Sequence, residues 1–90
     1  MEFEWNESKA TANLSKHGVS FDEAKTVFDD PLYVDFYDPD HSHDEYRYII
    51  FGESQQGRLL LVSYTERGNV IRLISAREVT RMERKVYEED

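Results

Sequence analysis

Arg77, Arg81 and Arg84 recur at i, i+4 and i+7, with Lys85 beside the last of them. Side chains on that spacing share one side of a helix. If Arg77 instead ends a strand, it stands at the junction from which Arg81 projects. A planar guanidinium makes paired hydrogen bonds to phosphate oxygens, so this cluster suits a phosphodiester. Arg58 and Arg72, expected on neighbouring strands, extend the same positive surface. The plain alternative is a solvated basic face. His17 lies between Lys16 and Gly18 at the end of an expected helix, where the dipole favours the charged imidazole. It serves either as a cap or packing group, or as a proton-transfer or phosphate-contacting imidazole. Tyr64, Tyr46 and Tyr87 offer rings for stacking and hydroxyls for hydrogen bonds, against the plain reading of core residues.

The segment Asp38 to Asp44 sets Asp38, Asp40, His41, His43 and Asp44 within seven residues. Of these, Asp40, His41, His43 and Asp44 could clasp a divalent cation. Metal ligands usually come from separate rigid elements with a supporting shell, and nothing in the sequence supplies them. The segment therefore reads as a solvated loop, with no metal and no cofactor expected. No glycine-rich phosphate loop, Ser-His-Asp arrangement or metallohydrolase motif is visible. Asn6-Glu7-Ser8 and Asn13-Leu14-Ser15 match the glycosylation triplet by chance in a chain without a secretory start.

The background is acidic. Eleven Lys and Arg stand against 19 Asp and Glu in 90 residues, a net charge of −8. Residues 1–57 carry 13 acids and 4 bases, whereas residues 58–85 carry 3 acids and 7 bases. A basic third on an acidic body marks an anion site or a face for a partner, and local potential outweighs the total near a binding surface. There is no cysteine, which excludes disulfide frameworks and thiolate zinc sites. The longest aliphatic run, Leu59 to Val62, is too short for a membrane span. Met1 to Trp5 has neither the basic start nor the apolar stretch of a signal peptide. A soluble cytoplasmic chain forming a single domain over residues 1–90 is expected, with the 12 aromatic residues arguing against disorder.

These residues need positioning elements. Phe3 and Trp5 alternate with Glu2 and Glu4 as in a short strand with one wet face. Asn6 caps a helix over residues 7–16 that Gly18 ends. Ser20 and Glu23 form a capping box opening a second helix with an apolar stripe of Phe21, Ala24, Val27 and Phe28, stopped at Asp29-Asp30-Pro31. Strands follow over residues 32–37, 45–52, 58–65 and 70–77. Their connections are the polar 38–44 loop and turns at 54–57 and 66–69. A last helix opens at the Thr80 to Glu83 capping box, with Ser75 to Glu78 fitting the same template. Val79, Met82 and Val86 form its expected core-facing stripe. The order β-α-α-β-β-β-β-α predicts an α+β domain: an antiparallel meander with the helices covering one face.

Segments along nearly the whole chain resemble the BrnT family of bacterial type II toxins. They are Phe3, Trp5 and Asn6 with Lys9 and Asn13; Lys16 to Phe21 with Glu23 and Ala24; and Val27 to Pro31. Gly57 to Leu60, Thr65 to Arg67, Arg72 to Arg77, and Thr80 to Arg84 with Tyr87 complete the series. Position 6 is Asn where the family commonly has Asp, and both cap helices well. The resemblance implies a RelE-like fold and a metal-independent endoribonuclease that cleaves RNA and arrests translation and growth. It also implies a ribbon-helix-helix, BrnA-like antitoxin as partner, with DNA reached only through that antitoxin. No membrane is involved, and a homodimer is compatible with it. In such chemistry the RNA 2′-hydroxyl attacks its own phosphodiester, so the protein supplies acid–base groups and cationic stabilisation. On this reading Arg77 and Arg81 converge on the phosphate, with His17 or Tyr64 transferring protons. Arg58, Arg72, Arg84 and Lys85 hold RNA. The alternative is a catalytically weak binding module that pairs with its antitoxin in autorepression.

Overall fold

The computed structural model describes residues 1–89. The elements are β1 (Glu2–Glu4), α1 (Glu7–His17), α2 (Phe21–Ala24), β2 (Val34–Tyr37), β3 (Arg47–Glu53), β4 (Leu59–Arg67), β5 (Val70–Glu78) and α3 (Arg81–Glu89). The α+β class and the element order agree with the sequence. Strands β2 to β5 form an antiparallel meander, and β1 adds to its far edge in parallel with β5, giving the order β1-β5-β4-β3-β2.

The caps act as their residue types dictate. Asn6 accepts the Lys9 backbone N–H at 3.0 Å, and Gly18 closes α1 in the left-handed region at φ 69°. Ser20 accepts the Glu23 N–H at 3.0 Å to open α2. The expected single second helix divides: after Ala24 it tightens into a 3-10 turn over Lys25–Asp29. There the Thr26 hydroxyl donates to the Glu23 carbonyl and accepts the Gln55 N–H, drawing the turn toward the β3–β4 loop. The last hairpin is tighter than expected. Glu66 and Arg67 stay in β4, and Gly68 and Asn69 alone make the turn, with Gly68 at φ 61°.

Helices α1 and α2 cover one side of the sheet. Val19, Phe21, Ala24 and Val27 pack there against Ile50, Leu60, Val62 and Leu73. Asn13 is the polar pin of this core. Its amide donates to the carbonyls of Ala76 (2.8 Å) and Val19 (3.0 Å), and its oxygen accepts the Ala76 N–H at 3.0 Å. Every polar atom of the buried amide is thus engaged, as burial requires.

The third helix corrects two expectations. It does not lie on the covered side, and Met82 and Val86 are not core residues: Met82 is 79% exposed and Val86 41%. The helix begins at the Thr80 box, where Thr80 N–H donates to Glu83 and Glu83 N–H donates back to Thr80 Oγ1. The Ser75 to Glu78 template stays in β5. This phase turns Glu83 and Tyr87 toward the protein. Glu83 meets Arg77, and the Tyr87 hydroxyl donates to Asp30 at 2.6 Å. Two polar contacts therefore take the place of the apolar stripe.

Candidate functional site

Alternation along the strands sends Ile50, Leu60, Val62, Leu73 and Ala76 to the covered side and their neighbours to the open side. Arg47, Ile49 and Phe51 from β3 meet Leu61 and Ser63 from β4 there. At Ile74 β5 gains a residue: Ser63 pairs with Ser75 while Tyr64 pairs with Leu73. This bulge brings Ile74 and Ser75 together beside Arg77 on the same side. The result is an apolar floor under a cleft of about 380 Å³. Its volume is within the usual range for small-ligand sites of about 300–1,000 Å³. Asp38, His41 and Glu83 complete the walls.

Arg77 is held as a fork. Its two terminal nitrogens donate to the two Glu83 carboxylate oxygens, each at 2.8 Å, and one also reaches the Glu78 carbonyl at 3.2 Å. The guanidinium holds the Glu83 carboxyl down to about 2, against the opposing effect of burial; Thr80 helps. In turn, Glu83 raises Arg77 further above its ordinary value. Arg47 faces the same cleft in the opposite condition. Its Nε is buried without a hydrogen-bond partner among the described residues, and the nearest carboxylate oxygen, Glu45 Oε1, is 3.9 Å away. A buried donor left open in the same cleft as a fixed guanidinium fits an anion.

The cleft admits some of the residues singled out in the sequence and not others. Arg77 lines it; Arg81 does not, because the capping box turns Glu83 rather than Arg81 toward β5. Arg81, Arg84 and Lys85 are exposed on α3, which rises from the same end of β5, and Arg84 lies 3.9 Å from Glu88. Arg72 is on the open side, 3.4 Å from Glu4. Arg58 is clamped elsewhere. It donates to the buried Glu23 through Nε at 3.0 Å and through Nη2, and to the Gly18 carbonyl at 3.0 Å. The Ser54 hydroxyl also donates to Glu23 at 2.7 Å. Arg58 chiefly, with Ser54, keeps the Glu23 carboxyl below the usual range.

Tyr64 and His17 belong to the covered side. Tyr64 is 3% exposed, packs on Phe28 and Tyr48, and donates to Asp35 at 3.1 Å. Burial, then the Asp35 charge, pushes its hydroxyl well above the ordinary phenol value, so it holds its proton. His17 ends α1, half-buried, across the sheet from Arg77. One phosphodiester in the cleft cannot meet these two groups and Arg77 together.

Sequence reasoning missed Arg47, Glu83 and the wall formed by Asp38 and His41. A signal existed for the first, since a period of two in the strand over residues 45–52 sets Arg47 on one face with Ile49 and Phe51. The 38–44 loop is also more built than a solvated loop. Asp38 N–H donates to the Arg47 carbonyl at 2.8 Å, and the Ser42 hydroxyl bridges the Asp38 carbonyl and the Arg47 N–H. Among the described residues, no group of three or more His, Asp or Glu stands where it could hold a metal ion. No helix among them is long and apolar enough to cross a membrane.

Comparison with known proteins gives two findings. The sequence profile of a family described as "Ribonuclease toxin, BrnT, of type II toxin-antitoxin system" matches residues 5–83. The crystal structure of the Brucella abortus ribonuclease toxin, BrnT, superposes with a TM-score of 0.66 at 21% identity, covering 90% of this chain and 99% of that one. At that identity the superposition speaks for the fold. No curated protein sequence matches the chain.

Proposed function

The chain belongs to the BrnT family of ribonuclease toxins of type II toxin–antitoxin systems, and on that premise we propose that it is a metal-independent endoribonuclease working in the open-face cleft. The observation that carries this reading is the pairing of a fixed Arg77 fork with the unsatisfied buried donor of Arg47 over one apolar floor. Cleavage by the neighbouring 2′-hydroxyl gathers negative charge on the phosphate oxygens as the fifth bond forms. Donors already aimed at that position stabilise this charge without reorganising. Arg47 takes that role with its open donor, Arg77 joins it by exchanging the Glu83 carboxylate for the phosphate, and Ser63 and Ser75 add hydroxyl donors. Arg81, Arg84 and Lys85 guide the RNA strand along α3, and Arg72 extends the track on the sheet.

As a member of a type II family the protein has an antitoxin partner. We take it to be a ribbon-helix-helix protein of the BrnA kind. The recess of about 640 Å³ between β2 and α3, lined by Leu32, Tyr33, Val34 and Tyr87, supports such a docking site, with Leu32 71% exposed. One observation favours a second reading, a weak enzyme kept for its antitoxin. Arg58, Arg72 and Arg77 each face a glutamate, which lowers the free positive charge.

Purified protein incubated with RNA in excess EDTA separates the two. We expect cleavage that survives the chelator, with Arg77→Ala and Arg47→Ala each about 10²–10³-fold slower. Intact RNA together with tight antitoxin binding selects the second reading.

A further inference from the structure

The ribonuclease reading leaves the cleft without a proton-transfer group, since Tyr64 and His17 lie on the other side of the sheet. The wall opposite Arg77 holds one. His41 Nδ1 lies 2.9 Å from Asp38 Oδ2. The Asp38 side chain is only 12% exposed, whereas that of His41 is 68% exposed. A carboxylate oxygen accepts, so in the neutral imidazole the hydrogen sits on Nδ1 and Nε2 carries the lone pair. The pair is not a loose surface contact. The Asp38–Arg47 backbone bond and the Ser42 bridge fix the loop at both ends, and His41 closes a short 3-10 turn from Pro39. Both residues line the cleft that contains Arg47 and Arg77.

We propose that His41 is the catalytic base of this cleft and that Asp38 is its positioning residue, an inference that rests on the ribonuclease reading. The carboxylate fixes the tautomer and orientation of the imidazole, the division of labour seen wherever a buried Asp backs a working His. Nε2 takes the proton of the RNA 2′-hydroxyl as the O2′–P bond forms. The P–O5′ bond then breaks. The leaving 5′-oxygen takes a proton from water, and the imidazolium returns its own to the resulting hydroxide. The products are a 2′,3′-cyclic phosphate and a 5′-hydroxyl, and the protein is regenerated. Glu83 is the other acid on the cleft, but both its oxygens accept from Arg77 and its carboxyl holds a proton only near pH 2. A base that weak is a poor competitor.

The test uses the full chain and an oligonucleotide carrying the main site mapped with the wild-type protein. His41→Gln should lower kcat by about 10²-fold or more while KM moves by no more than about twofold. Binding of the same oligonucleotide with a 2′-deoxy residue at the scissile position should be unchanged. Free imidazole should restore part of the rate to His41→Gly, which a merely structural role would not allow. Asp38→Asn should slow kcat by about tenfold or more. If His41→Gln cleaves at the wild-type rate while Arg77→Ala does not, the base assignment is overturned and the ribonuclease reading stands. Loss of activity with weakened deoxy-RNA binding and no rescue by imidazole overturns it as well. If the wild-type protein cleaves no RNA, the base assignment and the ribonuclease reading fall together.

Discussion

Two arginine–glutamate clamps, on opposite sides of the same sheet, share a chemistry and differ in consequence. In one, Arg58 closes on Glu23, whose side chain is 2% exposed and which Ser54 also satisfies. That clamp ties the end of α1, the start of α2 and the β3–β4 loop into one body through the Gly18 carbonyl. In the other, Arg77 closes on Glu83 at the rim of an open cleft, where the side chains remain 38% and 25% exposed. A buried pair has no substitute partner and its loss strands a charge; a pair at a rim can exchange its carboxylate for a phosphate. The charged group alone does not say which kind of clamp it will make. Its surroundings do.

Substitutions at the two clamps should separate them. Arg58→Ala leaves Glu23 buried without its cation and should cost about 3 kcal/mol of stability, read as a fall in the denaturation midpoint at unchanged slope. If Arg58→Ala is as stable as wild type but cleaves RNA poorly, Arg58 belongs with Arg77 and the distinction fails. A smaller effect comes from acid. Glu83 moves from 4.5 down to about 2 on folding, so the folded state holds its proton more weakly than the unfolded chain does. The stabilisation is therefore complete above about pH 4.5 and is lost as pH falls toward about 2. Replacing Glu83 with Gln should remove that part of the acid-unfolding profile; an unaltered profile would show that the rim clamp contributes nothing to folding. The smallest effect is expected at Met82→Ser, which should stay within about 0.5 kcal/mol of wild type because the side chain is already 79% exposed. A loss the size of a core truncation would place α3 in the core after all.

What could be read in the sequence follows the range of the interactions. Asn6, Gly18, Ser20 and Thr80 act within a few residues of themselves, and each behaves as its type requires. The alternation of Tyr48 and Ile50 with Arg47, Ile49 and Phe51 in β3 is equally legible, whereas β4 reads as an almost unbroken apolar run, as a strand in the middle of the sheet does. The contacts that build the cleft are of another kind. Arg47 on β3 and Arg77 on β5 line one cleft although β4 lies between them, and α3 takes its place from Tyr87 reaching Asp30, 57 residues earlier. The stripe of Val79, Met82 and Val86 looked like a core face because apolar spacing was the only local signal. Two polar contacts outweighed it. Arg58 and Arg77 were alike in sequence for the same reason: their glutamates lie 35 and 6 residues away, in different surroundings.

Tyr87 and Glu83 also set how firmly α3 is held. A helix tied by one phenol and one carboxylate, with its apolar residues in water, opens without disturbing the sheet beneath it. Amide protons in α3 should therefore exchange through local opening, at rates far above those of β4, whose release requires the whole molecule to unfold.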